Sequence, residues 1–341
     1  MKLNLNDFDK IIFDMDGVIT SEYIYWDTAA LTIYELLFDY KFYGKHDIDR
    51  EWCRKNYKEI SDTIFCGEKT IRAVKRLGVN TNWDLAYIVF CVSKYIEPCL
   101  ERLDKAHFDA VCMFIENITT LAPKLYEHIE GLAETVIDKD KGFFKRSGTG
   151  FWTQMHAGFQ DWFNGFDGVE GLNSMEKPLL PLGDIKSTLK SLKDKGIKLG
   201  IGTGRPRKEI VYPLDMWGIS EYFEGDMIAT YDEISNAESA LKLDNSIAKP
   251  HPFVFLKAAI GNEYSDFEII NKAYNPEKLK RTLIVGDAPS DLISATAGNF
   301  KFLAVLTGVE GENAREYFVK NHADYIVKDI RNIGEAYEKE D

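Results

Sequence analysis

The stretch that decides the fold is KIIFDMDGVIT, residues 10–20. Its first four residues, Lys10 to Phe13, contain three apolar residues in succession, which is typical of a buried strand in a parallel sheet. Two carboxylates, Asp14 and Asp16, follow this strand at once. Carboxylates at the end of a buried strand are costly unless they lie at an open edge and bind something. The carboxyl edge of an α/β sheet is such a place, so we expect a ligand site there.

The region after residue 181 alternates predicted helices and strands. Apolar runs predict strands at 197–201, 226–229, 282–285, 302–305 and 324–327. The segments between them predict helices at 185–195, 206–217, 251–260 and 291–298. This βαβα order indicates an α/β fold, a doubly wound parallel sheet with helices on both faces. Strand 10–13 has no other sheet to join, so we place it in this one.

Residues 21–181 have a helical pattern. Apolar residues recur at spacings of three and four, as in Ala30, Ile33 and Leu37. Helices are predicted at about 26–42, 50–60, 62–77, 82–100, 104–118 and 121–137. No strand alternation persists here. We therefore predict an enlarged, all-helical cap domain at 21–181, inserted into a core domain made of 1–20 and 182–341.

The end of this insertion, residues 141–171, is rich in glycine and aromatic residues. Glycines permit hinge-like backbone conformations, and aromatics form an apolar wall. Two interpretations remain open: a static part of the cap core, or a mobile lid over a substrate. Lys145 and Arg146 within it are candidates to meet a second anionic group of that substrate.

The composition excludes several classes of protein. The 341 residues carry a net charge of −13 and are 45% hydrophobic, which indicates a folded chain of about two domains. A dedicated nucleic-acid binder would show a basic surplus. The apolar run at 85–92 is too short to span a bilayer, and residues 1–10 do not look like a signal peptide. We expect a cytoplasmic protein with free cysteines, no zinc site and no membrane contact. The sequence does not determine the oligomeric state.

Four polar signals follow predicted strands or begin predicted helices: Asp14-x-Asp16, Thr203, Lys249 and Asp287-xxx-Asp291. In a doubly wound sheet these positions converge on one crevice. Carboxylates alone would repel an anion, but carboxylates that hold Mg²⁺ would bind a phosphate. A carboxylate nucleophile, a metal, a lysine and a hydroxyl together indicate phosphoryl transfer.

Four stretches in this order, IIFDMDGVIT, LGIGTGRPRKE, AKPHP and LIVGDAPSDLISATAG, resemble the motifs of the haloacid-dehalogenase-like hydrolases. The helical insertion after the first motif resembles the cap of the phosphoglycolate-phosphatase and β-phosphoglucomutase branch. The resemblance implies a Rossmann-like core and a Mg²⁺-dependent phosphatase. Its substrate would be a small phosphorylated metabolite, bound between core and cap and hydrolysed through an aspartyl-phosphate.

The resemblance also assigns the metal site and the reacting carboxylates. Asp14 would be the nucleophile and a Mg²⁺ ligand. Asp16 would protonate the leaving group and then activate water, and its backbone carbonyl would contact the metal. Asp287 would complete the metal site and Asp291 would support it. Gly17 would let the backbone turn closely at the substrate.

Residues that hold the phosphoryl group follow from the second and third motifs. Thr203 would hydrogen-bond the phosphoryl group, with the Gly204 amide beside it at a helix start, where anions bind well. Lys249 would neutralise charge on Asp14 and on the phosphoryl group. For Arg205 two placements remain open, the protein surface or a contact with the substrate anion.

Other activities share parts of this pattern. A phosphosugar mutase would keep the same core residues. A phosphonatase would use a cap lysine that the sequence does not single out. Dehalogenases lack the second carboxylate, so Asp16 favours phosphoryl transfer. A non-enzymatic binding protein on the same fold would not need Asp16.

Overall fold

The structure is a computed structural model that describes residues 3–79, 81–122, 124–137, 143–146, 150–243 and 245–335. It divides into two compact units, one made of Met1–Ser21 and Glu176–Asp341, the other of Glu22–Met175. The sequence placed the second boundary between residues 181 and 182. In the structure residues 176–181 go with the first unit, because their backbone pairs with the chain that leaves it: Leu179 N–H donates to the Ile19 carbonyl over 2.9 Å.

The chain enters the first unit as strand β1 (Lys10–Phe13) and then forms the second unit. That unit contains helices α1 (Tyr23–Phe38), α2 (Arg50–Lys55), α3 (Tyr57–Ile64), α4 (Lys69–Arg76), α5 (Asn82–Ile96), α6 (Lys105–Glu116), α7 (Lys124–Val136) and α8 (Gly150–Asn164). Two short strands, β2 (Gly165–Phe166) and β3 (Val169–Glu170), follow α8. The predicted insertion of helices directly after the first strand is confirmed.

Several details of the second unit differ from the prediction. The helix expected at 50–60 is divided into α2 and α3, and α8 was not predicted. The helix expected at 62–77 is interrupted between α3 and α4, where Cys66 and Gly67 have φ of +52° and +71°. The all-helical expectation is wrong in one place, because β2 and β3 pair as an antiparallel hairpin. Its two-residue turn is Asp167-Gly168, with φ of +50° and +82°. Asp-Gly favours such a turn and was the sequence signal for this hairpin.

The aromatic residues of segment 141–171 pack inside the second unit. Phe151, Phe159 and Phe163 on α8 are buried. The Phe151 ring stacks on Phe90 at 4.6 Å, and the Phe163 ring stacks on Tyr25 at 4.7 Å. From α8 onward this favours the cap-core interpretation over the lid. Residues 141, 142 and 147–149 of the segment lie outside the described residues.

Arg146 has a partner inside the second unit. Its Nε donates to Asp84 Oδ1 over 2.5 Å and its second terminal nitrogen donates to Asp84 Oδ2 over 2.9 Å. Asp84 is buried, and the Tyr126 hydroxyl donates to it as well. Arg146 therefore neutralises a buried carboxylate, which leaves the expected contact with a substrate anion without support.

The rest of the first unit follows in βα order. Its elements are α9 (Leu182–Asp194), β4 (Lys198–Gly202), α10 (Arg207–Met216), β5 (Phe223–Ala229), α11 (Tyr231–Leu241), α12 (Phe253–Ile260), α13 (Asp266–Ile270), β6 (Thr282–Gly286), α14 (Pro289–Ala297), β7 (Lys301–Val305), α15 (Ala314–Lys320) and β8 (Tyr325–Val327). Helices α11, α13 and α15 were not predicted. Capping boxes at Thr230/Glu233 and Ser265/Glu268 mark the starts of the first two.

The six strands of this unit form one sheet in the order β5-β4-β1-β6-β7-β8, and all neighbours are parallel. The predicted doubly wound sheet is thus confirmed. Strand β1 lies between β4 and β6, where the strand order reverses. Its Ile11 and Phe13 side chains belong to one apolar core and Ile12 to the other. The carboxyl ends of β1, β4 and β6 therefore meet at the switch point, where such sheets bind ligands.

The cysteines match what the sequence led us to expect. All five cysteines are free thiols, and Cys53, Cys91 and Cys112 are buried. Within the described ranges, none of the helices combines the length and the apolar character that a membrane crossing requires.

Candidate active site

Asp14 lies at the carboxyl end of the central strand. Its backbone N–H continues the β1–β6 ladder and donates to the Val285 carbonyl over 2.9 Å. Its side chain is buried, and Oδ1 accepts a hydrogen bond from the Met15 N–H over 2.8 Å. The sheet therefore fixes both the position and the orientation of this carboxylate.

Two further carboxylates lie beside Asp14. One oxygen from each of Asp14, Asp287 and Asp291 falls within 4.8 Å of the others. Asp287 follows β6, while Asp291 is the third residue of α14, where its Oδ2 accepts from the Ala288 N–H over 3.2 Å. Hard oxygen donors of this kind are the ligands that Mg²⁺ prefers. The donor set therefore fits a divalent cation.

Lys249 supplies the positive charge within this group. Its Nζ lies 2.7 Å from Asp14 Oδ2 and 2.8 Å from Asp291 Oδ1. Burial alone would lower the pKa of Lys249, but the Asp14 and Asp291 carboxylates outweigh it and raise that pKa. Burial raises the pKa of Asp14, with Lys249 opposing and Asp291 reinforcing the rise. Three carboxylates face one ammonium, so the group carries an excess of negative charge that a cation would balance.

Gly17 shapes the pocket around Asp287. It has a φ of +70°, and a Cβ there would lie 2.3 Å from Asp287 Oδ2. A Cβ at Gly308 would lie 2.0 Å from the same oxygen. The Gly17 carbonyl also accepts a hydrogen bond from the Thr307 hydroxyl over 2.5 Å. Gly17 thus packs against one of the three carboxylates that could hold a metal. Sequence reasoning missed Thr307 and Gly308, since they follow β7 without a recognisable motif.

We expect Gly17→Ala to weaken metal binding by about tenfold or more, because the new Cβ would displace the Asp287 carboxylate from its place. The measurement is the Mg²⁺ concentration that gives half-maximal phosphate release. Gly183→Ala is the matched control, because a Cβ at Gly183 meets no atom within 4 Å. An unchanged Mg²⁺ requirement in Gly17→Ala would show that Asp287 does not hold the metal.

Thr203 and Gly204 lie at the carboxyl end of β4. The Thr203 N–H donates to the Ala229 carbonyl over 3.0 Å, and its buried hydroxyl accepts from the Arg205 N–H over 3.2 Å. Gly204 is exposed, and a Cβ there would have no atom within 4 Å. An open backbone segment beside a fixed hydroxyl leaves room for an anion at this edge.

Arg205 departs from the surface placement. Its side chain is only 3% exposed. Its Nε lies 3.1 and 3.0 Å from the two oxygens of Asp16, and a terminal nitrogen also donates to Asp16 and, over 3.0 Å, to the Thr20 hydroxyl. The other terminal nitrogen donates to Glu176 Oε1 over 2.6 Å. Of the two placements left open for Arg205, the surface one is therefore wrong, and each nitrogen of the guanidinium faces a protein oxygen.

The Asp16 carboxylate has partners other than Lys249. Its side chain is 25% exposed and is held by Arg205 and by the Thr20 hydroxyl, which donates to Oδ1 over 3.2 Å. Among the described residues, its carboxylate is not part of the group that could hold a metal. Any contact of Asp16 with the metal would therefore use its backbone carbonyl, as the resemblance implied.

Glu176 is another residue that sequence reasoning missed. Its side chain is 1% exposed, and no described residue donates to its Oε2. Burial raises the pKa of Glu176 to about 7, and Arg205 partly opposes that rise. Glu176 lies about 30 residues before Arg205 in the sequence, between motifs, and nothing in the local pattern distinguishes it.

The raised pKa of Glu176 predicts a pH-dependent stability. A carboxyl group of ordinary pKa 4.5 that titrates near 7 when folded favours the folded state below its ordinary pKa. That contribution is lost as the pH rises through about 7. We expect the melting temperature of the parent to fall relative to that of Glu176→Gln as the pH rises from about 5 to about 8. Melting curves across that range test this, and a difference that is constant with pH would contradict it.

Comparisons with known proteins relate the chain to hydrolases. The model of a hydrolase family, described as haloacid dehalogenase-like hydrolase, matches residues 8–299. The pyrophosphatase PpaX of Oceanobacillus iheyensis is 30% identical over 149 residues, 44% of this chain and 56% of that protein. PpaX of Bacillus pumilus is 27% identical over the same shares. The chain thus spans about half the length of the curated relatives it matches.

Two solved structures extend the comparison. An X-ray structure from the Northeast Structural Genomics Consortium is 30% identical, with a TM-score of 0.78 over 95% of this chain and 97% of that one. A predicted phosphoglycolate phosphatase from Haemophilus somnus is 16% identical, with a TM-score of 0.42 over 96% of both chains. At that identity and TM-score the second likeness says nothing about a substrate.

Proposed function

The chain belongs to the haloacid dehalogenase-like hydrolases, and from that premise we propose that it is a Mg²⁺-dependent phosphatase in which Asp14 is the nucleophile. One observation carries the proposal: the buried Asp14 carboxylate lies 2.7 Å from Lys249 and within 4.8 Å of two more carboxylates. A surface turn would need none of these partners. A site that accepts phosphate needs a fixed nucleophile and a balance of positive charge.

Asp14, Asp287 and Asp291 would hold the metal, together with the Asp16 backbone carbonyl. Bound Mg²⁺ supplies positive charge that offsets the carboxylates and orients a phosphate oxygen. The Lys249 ammonium, 2.7 Å from Asp14 Oδ2, would add to this charge. The Thr203 hydroxyl and the Gly204 N–H would hold the remaining phosphoryl oxygens.

In the first step, an Asp14 oxygen attacks phosphorus and forms a phosphorus–oxygen bond. The bond from phosphorus to the leaving oxygen breaks, and the electron pair stays on that oxygen. The leaving oxygen takes its proton from Asp16, two residues along the same loop. General acid catalysis of this kind contributes about 10²- to 10⁴-fold.

In the second step, water attacks phosphorus of the aspartyl-phosphate. Asp16 takes a proton from this water, and the bond between phosphorus and the Asp14 oxygen breaks. Inorganic phosphate leaves, and both carboxyl groups return to their starting states. One residue thus acts as acid and then as base.

The substrate we propose is a small phosphorylated metabolite. Inorganic pyrophosphate is the first compound to test, because the matching relatives are named pyrophosphatases. The match covers less than half of this chain, so the activity of those relatives is a guide to the assay.

The test is phosphate release from a panel of phosphate monoesters and pyrophosphate, with and without Mg²⁺. We expect release from at least one compound, dependent on Mg²⁺ and absent from Asp14→Asn. No release from any of them in excess Mg²⁺ would overturn the proposal. An isomerised phosphosugar without free phosphate would indicate a mutase instead.

A further inference from the structure

Arg205 and Asp16 form a pair that the proposed chemistry does not by itself require. We propose that Arg205, fixed by Glu176, is a positioning residue that sets the orientation of the Asp16 carboxylate for proton transfer. This inference rests on the proposed function, in which Asp16 is the acid and base. It assigns Arg205 a role through another residue and no contact with the substrate.

Arg205 and Asp16 form a bidentate ion pair. Arg205 Nε lies within 3.1 Å of both Asp16 oxygens, and a terminal nitrogen of Arg205 reaches Oδ1 as well. Paired N–H donors on one planar fork fix the plane of a carboxylate, which a single ammonium does not do. The Thr20 hydroxyl bridges the two partners, accepting from Arg205 over 3.0 Å and donating to Asp16 over 3.2 Å.

Glu176 holds the other end of the guanidinium. Its Oε1 accepts from the remaining terminal nitrogen of Arg205 over 2.6 Å, and that nitrogen also lies 3.4 Å from the Glu209 carbonyl. Arg205 and Glu176 are 3% and 1% exposed. Because the guanidinium is buried and paired at both ends, its orientation is fixed. The Asp16 carboxylate that it pairs with is therefore fixed as well.

The backbone of the loop that carries Asp16 is fixed by its own hydrogen bonds. The loop is closed by Gly17 N–H on the Thr20 carbonyl and by Thr20 N–H on the Met15 carbonyl, both over 2.9 Å. These bonds fix where the loop turns. They leave the Asp16 side-chain torsions to be set by side-chain partners, and Arg205 and Thr20 are those partners.

A direct contact of Arg205 with the substrate anion is the competing role. It would require the guanidinium to leave Asp16 and Glu176, and the buried Glu176 carboxylate would then lack its Arg205 partner. The neighbouring Arg207 shows the contrast, since its side chain is 39% exposed and pairs with Glu233. Arg205 is the buried member of the two.

The first experiment compares Arg205→Gln, Arg205→Lys and the control Arg281→Gln with the parent. Arg281 forms a similar pair with Asp9, but at the opposite ends of β1 and β6. We expect Arg205→Gln to lower kcat about 10²-fold, with KM and the inhibition constant of inorganic phosphate changed by less than about threefold. Arg205→Lys should recover part of kcat. A tenfold weaker inhibition by phosphate in Arg205→Gln would instead show that Arg205 binds the anion.

The second experiment asks whether Arg205 acts through Asp16. We expect the double variant Asp16→Asn/Arg205→Gln to be as slow as Asp16→Asn alone, because the positioned group is already lost. Multiplied effects of the two changes would overturn the proposal.

A third readout does not depend on turnover. In a crystal structure of Arg205→Gln, or of Arg205→Lys if the first does not fold, we expect the Asp16 carboxylate to adopt a different rotamer. An unchanged Asp16 would overturn the inference whatever the activity. A parent protein that releases no phosphate would overturn the proposed function and leave this structural outcome to decide the inference.

Discussion

Asp14→Asn is expected to lower phosphate release by about 10⁴-fold or more, because an amide oxygen is a poor nucleophile and forms no stable phosphoryl adduct. The fold should persist. Asparagine has nearly the same shape, and it removes one of the carboxylates that repel each other around Lys249. We expect a melting temperature within about 3 °C of the parent or above it. The measurements are steady-state phosphate release and a thermal unfolding curve.

Asp9→Asn is the matched control for this change. Asp9 precedes the same strand at its other end, where its exposed side chain pairs with Arg281. Exposed ion pairs of this kind contribute little to stability, so the fold of Asp9→Asn should be unchanged. Its activity should therefore be retained. Parent-like turnover by Asp14→Asn would remove Asp14 from the chemistry and with it the proposed mechanism.

Lys249→Met is expected to lose both activity and stability. The change removes the ammonium that lies 2.7 and 2.8 Å from Asp14 and Asp291, and both carboxylates are buried. Breaking a buried pair by removing one partner costs about 3–5 kcal/mol, because an uncompensated charge stays in the interior. We expect activity to fall by at least about 10³-fold, since charge on Asp14 and the phosphoryl group is no longer balanced.

Two further variants separate electrostatics from packing. Lys249→Met/Asp14→Asn should regain part of the lost stability, because one of the unpaired carboxylates is gone. Lys257→Met is the control: Lys257 on α12 has a similar exposure of 16% and pairs with Asp266 over 2.8 Å. It should keep full activity. A Lys249→Met protein as stable and active as Lys257→Met would contradict the charge balance described for the site.

The sequence was sufficient to place the candidate residues that lie directly at strand ends. Asp14 and Asp287 follow β1 and β6, and Thr203 follows β4, so the parallel sheet alone brings them to one edge. Lys249 was placed by its motif, and the structure puts its ammonium between Asp14 and Asp291. These positions depend on local strand patterns and on a topology with few alternatives.

The side-chain network around Asp16 could not be predicted from the sequence. Arg205 has the appearance of a surface residue at a helix start, and its burial depends on Glu176 meeting it across the fold. No periodicity links residues 176 and 205. The hairpin at Asp167-Gly168 and the start of α11 at Thr230 are a different case, because turn and capping signals were present there.

The most direct test of the central claim is to trap the covalent intermediate. The parent protein is mixed with Mg²⁺ and a substrate found in the panel, quenched during turnover and reduced with borohydride, which converts an aspartyl-phosphate into homoserine. Peptide mass spectrometry then locates the change. We predict homoserine at position 14 and at no other aspartate. Turnover without homoserine at position 14 would contradict Asp14 as the nucleophile.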